Sequence, residues 1–173
     1  MEGWVENVEV LRPDGRAALV LFLLVVCVPA VVLVVANAYA KGGAGYRVST
    51  AIVGVLLVTF AVLLVFMQRA FFGVADGVLT VRSSFYEVKV PLSELAGAPT
   101  IVDLDQYPER RPKLRTNGFS LPGYQSGWYV GSDKRRIFAA ITGPRVLSIQ
   151  VKSGYEILVS VKDPERVGPL RVK

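Results

Sequence analysis

Two long stretches without a charge dominate this chain of 173 residues. Ala17 to Ala40 (AALVLFLLVVCVPAVVLVVANAYA) runs 24 positions and Val48 to Met67 (VSTAIVGVLLVTFAVLLVFM) runs 20. A helix of about 20 apolar residues crosses the roughly 30 Å hydrocarbon core of a bilayer, so each run predicts a transmembrane helix. The boundaries read from sequence are 17–40 and 48–70, joined by a short extracytoplasmic loop at 41–47 (KGGAGYR), too brief for anything but a hairpin. A cleaved signal peptide competes for the first run, with Arg12 and Arg16 as its basic flank and ANAYA as its small-residue site. The run exceeds the roughly 7–15 residues of a signal core, and the final topology is the same in either case.

Within the hairpin, small residues fall at matching depth near the turn: Ala36 and Ala40 on one helix, Ala51 and Gly54 on the other. Small side chains let membrane helices approach closely, so these four are expected to form the packing seam. Pro29 removes a backbone donor in mid-helix and should bend it. No ionisable side chain lies inside either run, which argues for an anchor and against a transport path. Arg12, Arg16, Arg69, Arg82 and Lys89 flank the outer ends of the hairpin against Lys41 and Arg47 in its loop. The positive-inside rule therefore places both termini in the cytoplasm of a multi-pass cell-membrane protein. The polar lead, residues 1–16, carries Glu2, Glu6, Glu9 and Asp14, and its alternation (WVENVEVL) suits a small strand or an interfacial segment with Trp4 at the membrane surface.

Residues 71–173 have a different texture. Short β-branched, alternating runs (VLTV, FYEVKV, TIVDL, WYV, RIFAAIT, VLSIQV, YEILVSV) are separated by turn sequences such as DG, GSDK, GPR and KSG. This predicts about seven strands folded as a bent sheet or small barrel, with 128–161 as a four-stranded meander of consecutive hairpins. The chain has no histidine and a single cysteine, Cys27, inside the first apolar run. That removes histidine-based acid–base chemistry, histidine metal sites and any intrachain disulfide.

The order and spacing of VPLSEL (90–95), RTNG (115–118), GYQSGWY (123–129), IFAAIT (137–142) and VLSIQVKSGYEILVSVKDPE (146–165) resemble the pleckstrin-homology-like (PH-like) domains of prokaryotic membrane proteins. The resemblance covers about half of the chain and implies a seven-stranded, strongly bent sheet capped by a C-terminal helix. Here the helix would be short: Asp163, Pro164 and Glu165 look like a cap and first turn, but Gly168-Pro169 follows at once. Trp4 or the Phe71-Phe72 pair would then cover the open end.

The glycine-rich stretch LRTNGFSLPGYQSGWYVGSDKRR (114–136) fits neither a P-loop nor a nucleophile elbow, and reads as a loop or wide bulge entering the meander. Around it lie Arg110, Arg111, Lys113, Arg115, Lys134, Arg135 and Arg136, seven bases against Glu109 and Asp133. This basic cluster is the candidate binding surface for anionic lipid headgroups or an acidic protein, unless it is simply a solvated face. Asp103, Asp105 and Glu109 lack the spacing of a calcium loop. No metal, cofactor or activated nucleophile is indicated, so no enzymatic activity is expected. The expected function is a membrane-anchored binding or scaffolding module at the cytoplasmic face. The alternative is a small accessory subunit whose hairpin packs against the helices of a larger complex. Partner classes are the lipid bilayer, an unidentified membrane or cytoplasmic protein, and a second copy in a homo-oligomer; nucleic acid is disfavoured.

Overall fold

The computed structural model describes residues 9–39, 45–164 and 167. Two long helices come first, α1 (Gly15–Tyr39) and α2 (Gly45–Met67), and the most apolar windows of their spans have mean hydropathies of 3.3 and 2.8. Both are long and apolar enough to cross a membrane, and few of their side chains are buried. Asp14 starts α1: its carboxylate accepts from the backbone N–H of Arg16 and Ala17, each at 3.1 Å, satisfying two donors that a helix leaves orphaned. Pro29 is accommodated by a π-helical turn, Leu23–Cys27, in the turn before it. A local change of helical pitch is a known relief for a missing N–H and the clash with the carbonyl four residues back.

The small-residue seam does not form. Ala36, Ala51 and Gly54 are all exposed, and nothing lies within 4 Å of a Cβ built on Gly54; Ala40 lies outside the described residues. A polar pair fixes the rotation of the helices instead. Asn37 Nδ2 donates to Ser49 Oγ, and two such groups in an apolar setting must find each other. With Ser49 facing α1, the 3.6-residue period brings Val53, Leu56 and Phe60 to the seam and turns Ala51 and Gly54 away. Phe22 meets Phe60 edge-on at 5.2 Å, and Val26 is buried.

Among the described residues nine strands follow, not about seven: β1 (Ala70–Ala75), β2 (Val78–Ser83), β3 (Tyr86–Pro91), β4 (Thr100–Asp103), β5 (Leu114–Leu121), β6 (Tyr124–Val130), β7 (Arg136–Ile141), β8 (Arg145–Gln150) and β9 (Tyr155–Val159). They form two separate sheets, β1-β2-β3 and β4-β8-β9-β7-β6-β5, rather than a closed barrel. The meander is also corrected. β6 and β7 pair as a hairpin and so do β8 and β9, but β9 inserts between β8 and β7 and runs parallel to β7. The reason lies in β7, whose Ile137-Phe138-Ala139-Ala140-Ile141 is buried on both faces. Such a strand belongs in a sheet interior with neighbours on either side, and β9, equally apolar, takes the second side.

The two sheets share one core, in which Phe72, Leu79, Val81 and Val90 meet Phe138, Leu147, Ile149, Ile157 and Val159. The other face of the larger sheet has its own cluster, with Tyr129, Ile137, Val146 and Leu158 packed under Val102 and Leu104. Of the expected end caps, Phe72 is fully buried between the sheets while Phe71 is exposed, and Trp4 lies outside the described residues. A different residue does part of this work. Val10 forms an antiparallel bridge with Val161 and enters the shared core, while Leu11 N–H donates to Ser160 O at 3.0 Å and Lys162 N–H to Glu9 O at 3.0 Å. Of the short C-terminal helix expected to start at Asp163-Pro164-Glu165, one turn is seen, in which Val167 N–H donates to Pro164 O at 3.2 Å and Val167 is buried in the same core; residues 165–166 and 168–173 lie outside the described residues.

Candidate functional site

The stretch that looked like a loop is the β5–β6 hairpin, turning at Pro122-Gly123 with a bulge between Arg115 and Asn117. Its glycines allow backbones to touch. Gly118 opposes Gly127, and a Cβ on Gly127 would sit 2.5 Å from Asn117 O, 2.6 Å from Gly118 Cα and 3.1 Å from the Tyr86 ring. Gly127 also has φ +108°, a conformation closed to other residues without strain. Glycine here lets the edge hairpin press against β3; it does not cradle a ligand.

The domain has two ends, one beside the helices and one away from them. Ala17 and Met67 are buried against Tyr124, with Leu21, Phe119 and Leu121 around them, so the tip of the β5–β6 hairpin rests on α1 and α2. Phe85, in the β2–β3 turn, stacks on Phe66 at 4.3 Å, and the Arg69 guanidinium lies 4.5 Å from the centroid of the same Phe66 ring. The Tyr124 hydroxyl is enclosed by serines, 3.4 Å from Ser83 Oγ, while Ser126 Oγ donates to Ser83 O at 2.9 Å. Burial pushes the Tyr124 phenol up from its usual value, the serine contacts offsetting part of this.

The seven candidate bases divide between these ends. The 109–113 segment and the 131–135 turn do come together: Ser132 Oγ donates to Glu109 O at 2.8 Å and Lys113 N–H to Val130 O at 3.1 Å. Lys113, Lys134, Arg135 and Arg136 share this end, which lies beyond β6 from the helices, about 20 Å of strand at 3.3 Å per residue. Arg135 pairs with Asp133, whose carboxyl is held below its usual value first by the Arg135 backbone N–H and then by its side chain. Arg136 lies 4.8 Å from the Trp128 ring centroid, within an aromatic group of Trp128, Phe138 and Tyr155. Arg111 is occupied by Leu104 O, at 2.9 Å, and by Asp105. Lys113, Lys134 and Arg115 make no ion pair among the described residues.

Arg110 does not belong to a surface patch. The segment from Leu104 to Lys113 crosses the face of the larger sheet, and Arg110 turns inward there. Its Nη2 donates to Glu156 Oε1 at 2.6 Å and to Ser148 Oγ at 3.2 Å, and Ser148 Oγ donates to Glu156 Oε1 at 2.6 Å. The Glu156 side chain is only 5 % exposed, against 32 % for Arg110. The sequence signal for this was a lone glutamate in an otherwise apolar β9 (YEILV), which demands a cation from elsewhere.

Arg115 starts from the far end of β5, where its backbone pairs with Tyr129. It lines a cavity of about 400 Å³ between the β5–β6 hairpin and the hairpin helices, together with Leu21, Leu63, Phe119, Ser120 and Leu121. The walls are apolar apart from Arg115, the hydroxyl of Ser120, and Tyr86. A second groove of about 460 Å³ lies on the opposite side of the same hairpin, where the Arg111–Asp105 pair supplies both signs of charge. Comparison of the chain with protein-family models, with curated proteins and with solved structures finds no match.

Proposed function

We propose that this chain is a membrane-anchored PH-like module that holds a β-domain at the cytoplasmic face of the cell membrane as a binding or scaffolding surface. The observation that carries the proposal is the joint between the two ends of the helical hairpin. Residues 9–11, before α1, pair with Ser160–Lys162 at the close of the β-domain, after α2. An antiparallel bridge and a shared core require both segments on one side, which is the geometry of a chain that crosses a bilayer and returns. The five flanking bases favour the cytoplasm for that side.

The PH-like identity rests on the order of motifs from Val90 to Glu165; nine strands and a parallel β7–β9 pair depart from the seven-stranded sheet that resemblance implies. The far basic end supports an acidic protein as its partner. Lys113 and Lys134 make no ion pair among the described residues, and with Arg135 and Arg136 they gather cationic donors suited to carboxylates at the end of β6 away from the helix contact. The alternative role, as an accessory subunit or homo-oligomer, is favoured by Ala36, Ala51 and Gly54, which lie on the outer faces of the hairpin where another helix could approach closely.

Topology is the test. In intact cells, with Cys27 replaced by Ser, an impermeant thiol reagent should label a cysteine placed at Gly43 and spare one at Ser153. The reverse pattern would put the β-domain outside, and equal labelling of both would end the hairpin reading.

A further inference from the structure

Retention at the membrane is supplied by the helices, which leaves the cavity under the β5–β6 hairpin without a role. Its composition is unusual for a gap between an anchor and a soluble domain. One wall is helix: Leu63 sits one turn inside the end of α2, about 6 Å from Met67, and Leu21 about 9 Å along α1 from Gly15. On the reading that these helices cross a bilayer, the floor of the cavity lies at the depth of the uppermost acyl carbons. The other wall is the apolar edge of the hairpin, Phe119 and Leu121. The rim carries a cation, Arg115, exposed and without an ion pair among the described residues; the Ser120 hydroxyl in the same lining is held 2.8 Å from the Tyr129 hydroxyl, which itself donates to Phe119 O at 2.6 Å.

We propose that this cavity binds an anionic phospholipid of the surrounding leaflet, with Arg115 meeting the phosphate and one acyl chain descending between Leu63, Leu21 and Phe119. The inference rests on the membrane reading above and gives the β-domain a fixed seat on the bilayer. The chemistry selects this occupant. A phosphate with an apolar tail matches a site that is cationic at its mouth and apolar below, and the guanidinium presents parallel donors to phosphate oxygens. A free phosphate would leave Phe119 and Leu121 unmatched, and a neutral lipid would leave Arg115 so. The volume is in the range of small-molecule sites and suits a headgroup with the first part of a chain.

The test uses the full chain in phosphatidylcholine nanodiscs doped with phosphatidylglycerol, or with phosphatidylcholine, bearing a photoreactive diazirine near the headgroup end of one chain. Labelled peptides are mapped by mass spectrometry. Label should concentrate on 57–67 and 116–121, with about fivefold more from the anionic probe, the ratio set by roughly 1 kcal/mol for one base near an anionic group. Arg115→Gln should bring the anionic probe down to the level of the neutral one, Arg115→Lys should keep most of the preference, and Lys134→Gln with Arg135→Gln should leave it unchanged. Unaltered Trp128 fluorescence in each variant, read in detergent on a Trp4→Phe background, shows that the domain is intact. Equal labelling by the two probes, no effect of Arg115→Gln, or label spread evenly around the helices would each overturn the lipid site and leave the anchor standing. Failure of the chain to enter nanodiscs would overturn the membrane reading itself.

Discussion

Replacing Arg110 with Ala should be among the most damaging single changes at any charged position of the β-domain. The carboxylate it serves is 95 % buried as a side chain in effect: Glu156 is 5 % exposed and accepts two 2.6 Å bonds on Oε1, one from Arg110 and one from Ser148. Losing the guanidinium leaves a buried charge with one neutral donor. Breaking a buried pair from one side costs about 3–5 kcal/mol, and the one-third exposure of Arg110 lets water relieve part of this, so about 3 kcal/mol is expected. Arg135→Ala is the control, since its pair with Asp133 is half exposed on both sides and should be worth under about 1 kcal/mol. The double variant Arg110→Met with Glu156→Leu removes both charges together and should recover most of the loss, because desolvation and pairing nearly cancel when both partners go. Urea unfolding of the full chain in detergent reads this directly, with Trp4→Phe leaving Trp128 as the single tryptophan reporter. If Arg110→Ala costs no more than Arg135→Ala, or if the double variant is as unstable as Arg110→Ala, Arg110 is a surface residue after all.

Two further outcomes can be checked in the same preparation. Gly127→Ala should destabilise by about 3 kcal/mol or more, because its Cβ would press on backbone atoms at 2.5 and 2.6 Å in a φ +108° conformation; a midpoint within error of the unmodified chain would refute the close approach of β5 and β6. Tyr124, Tyr129 and Tyr155 are all raised above the ordinary phenol value, desolvation being the first cause for each. The unfolded chain therefore loses these protons first, so stability that is intact below about pH 10 should decline as pH rises beyond it. Absorbance at 295 nm should show tyrosines that ionise late or only on unfolding, whereas one smooth transition at the usual value would contradict their burial.

Charge-free length and strand alternation were enough to place the hairpin and seven of the nine strands. β1 was missed because its AFFGVA directly follows an apolar helix and looks like more of it. β5 was missed because Thr116-Asn117-Gly118 reads as turn chemistry, and only the opposed Gly127 shows why glycine is wanted in a strand there. Strand order was hidden for a different reason: β7 and β9 are equally apolar, and local pattern cannot say which of two buried strands borders the other. The basic cluster was visible as composition, but its division was not. Arg110 is claimed by Glu156, 46 positions away, and the Arg115 side chain lines the cavity beside the helices. Nor could small residues announce that a single Asn37–Ser49 bond would outrank them in setting the helical seam.

The Val10–Val161 bridge also sets an order of events during synthesis. Residues 9–11 are made before both helices and residues 160–162 after all nine strands, so the β-domain lacks one edge of its core until its own last segment has been made. Both helices have already been made by then, and a contact between such distant parts of the chain forms late because a long loop must close first. Once it has closed, residues 9–11 are tied into a folded domain, and sending the amino terminus across the bilayer would require unravelling that domain's edge. The bridge acts as a latch that makes the insertion of the hairpin hard to reverse.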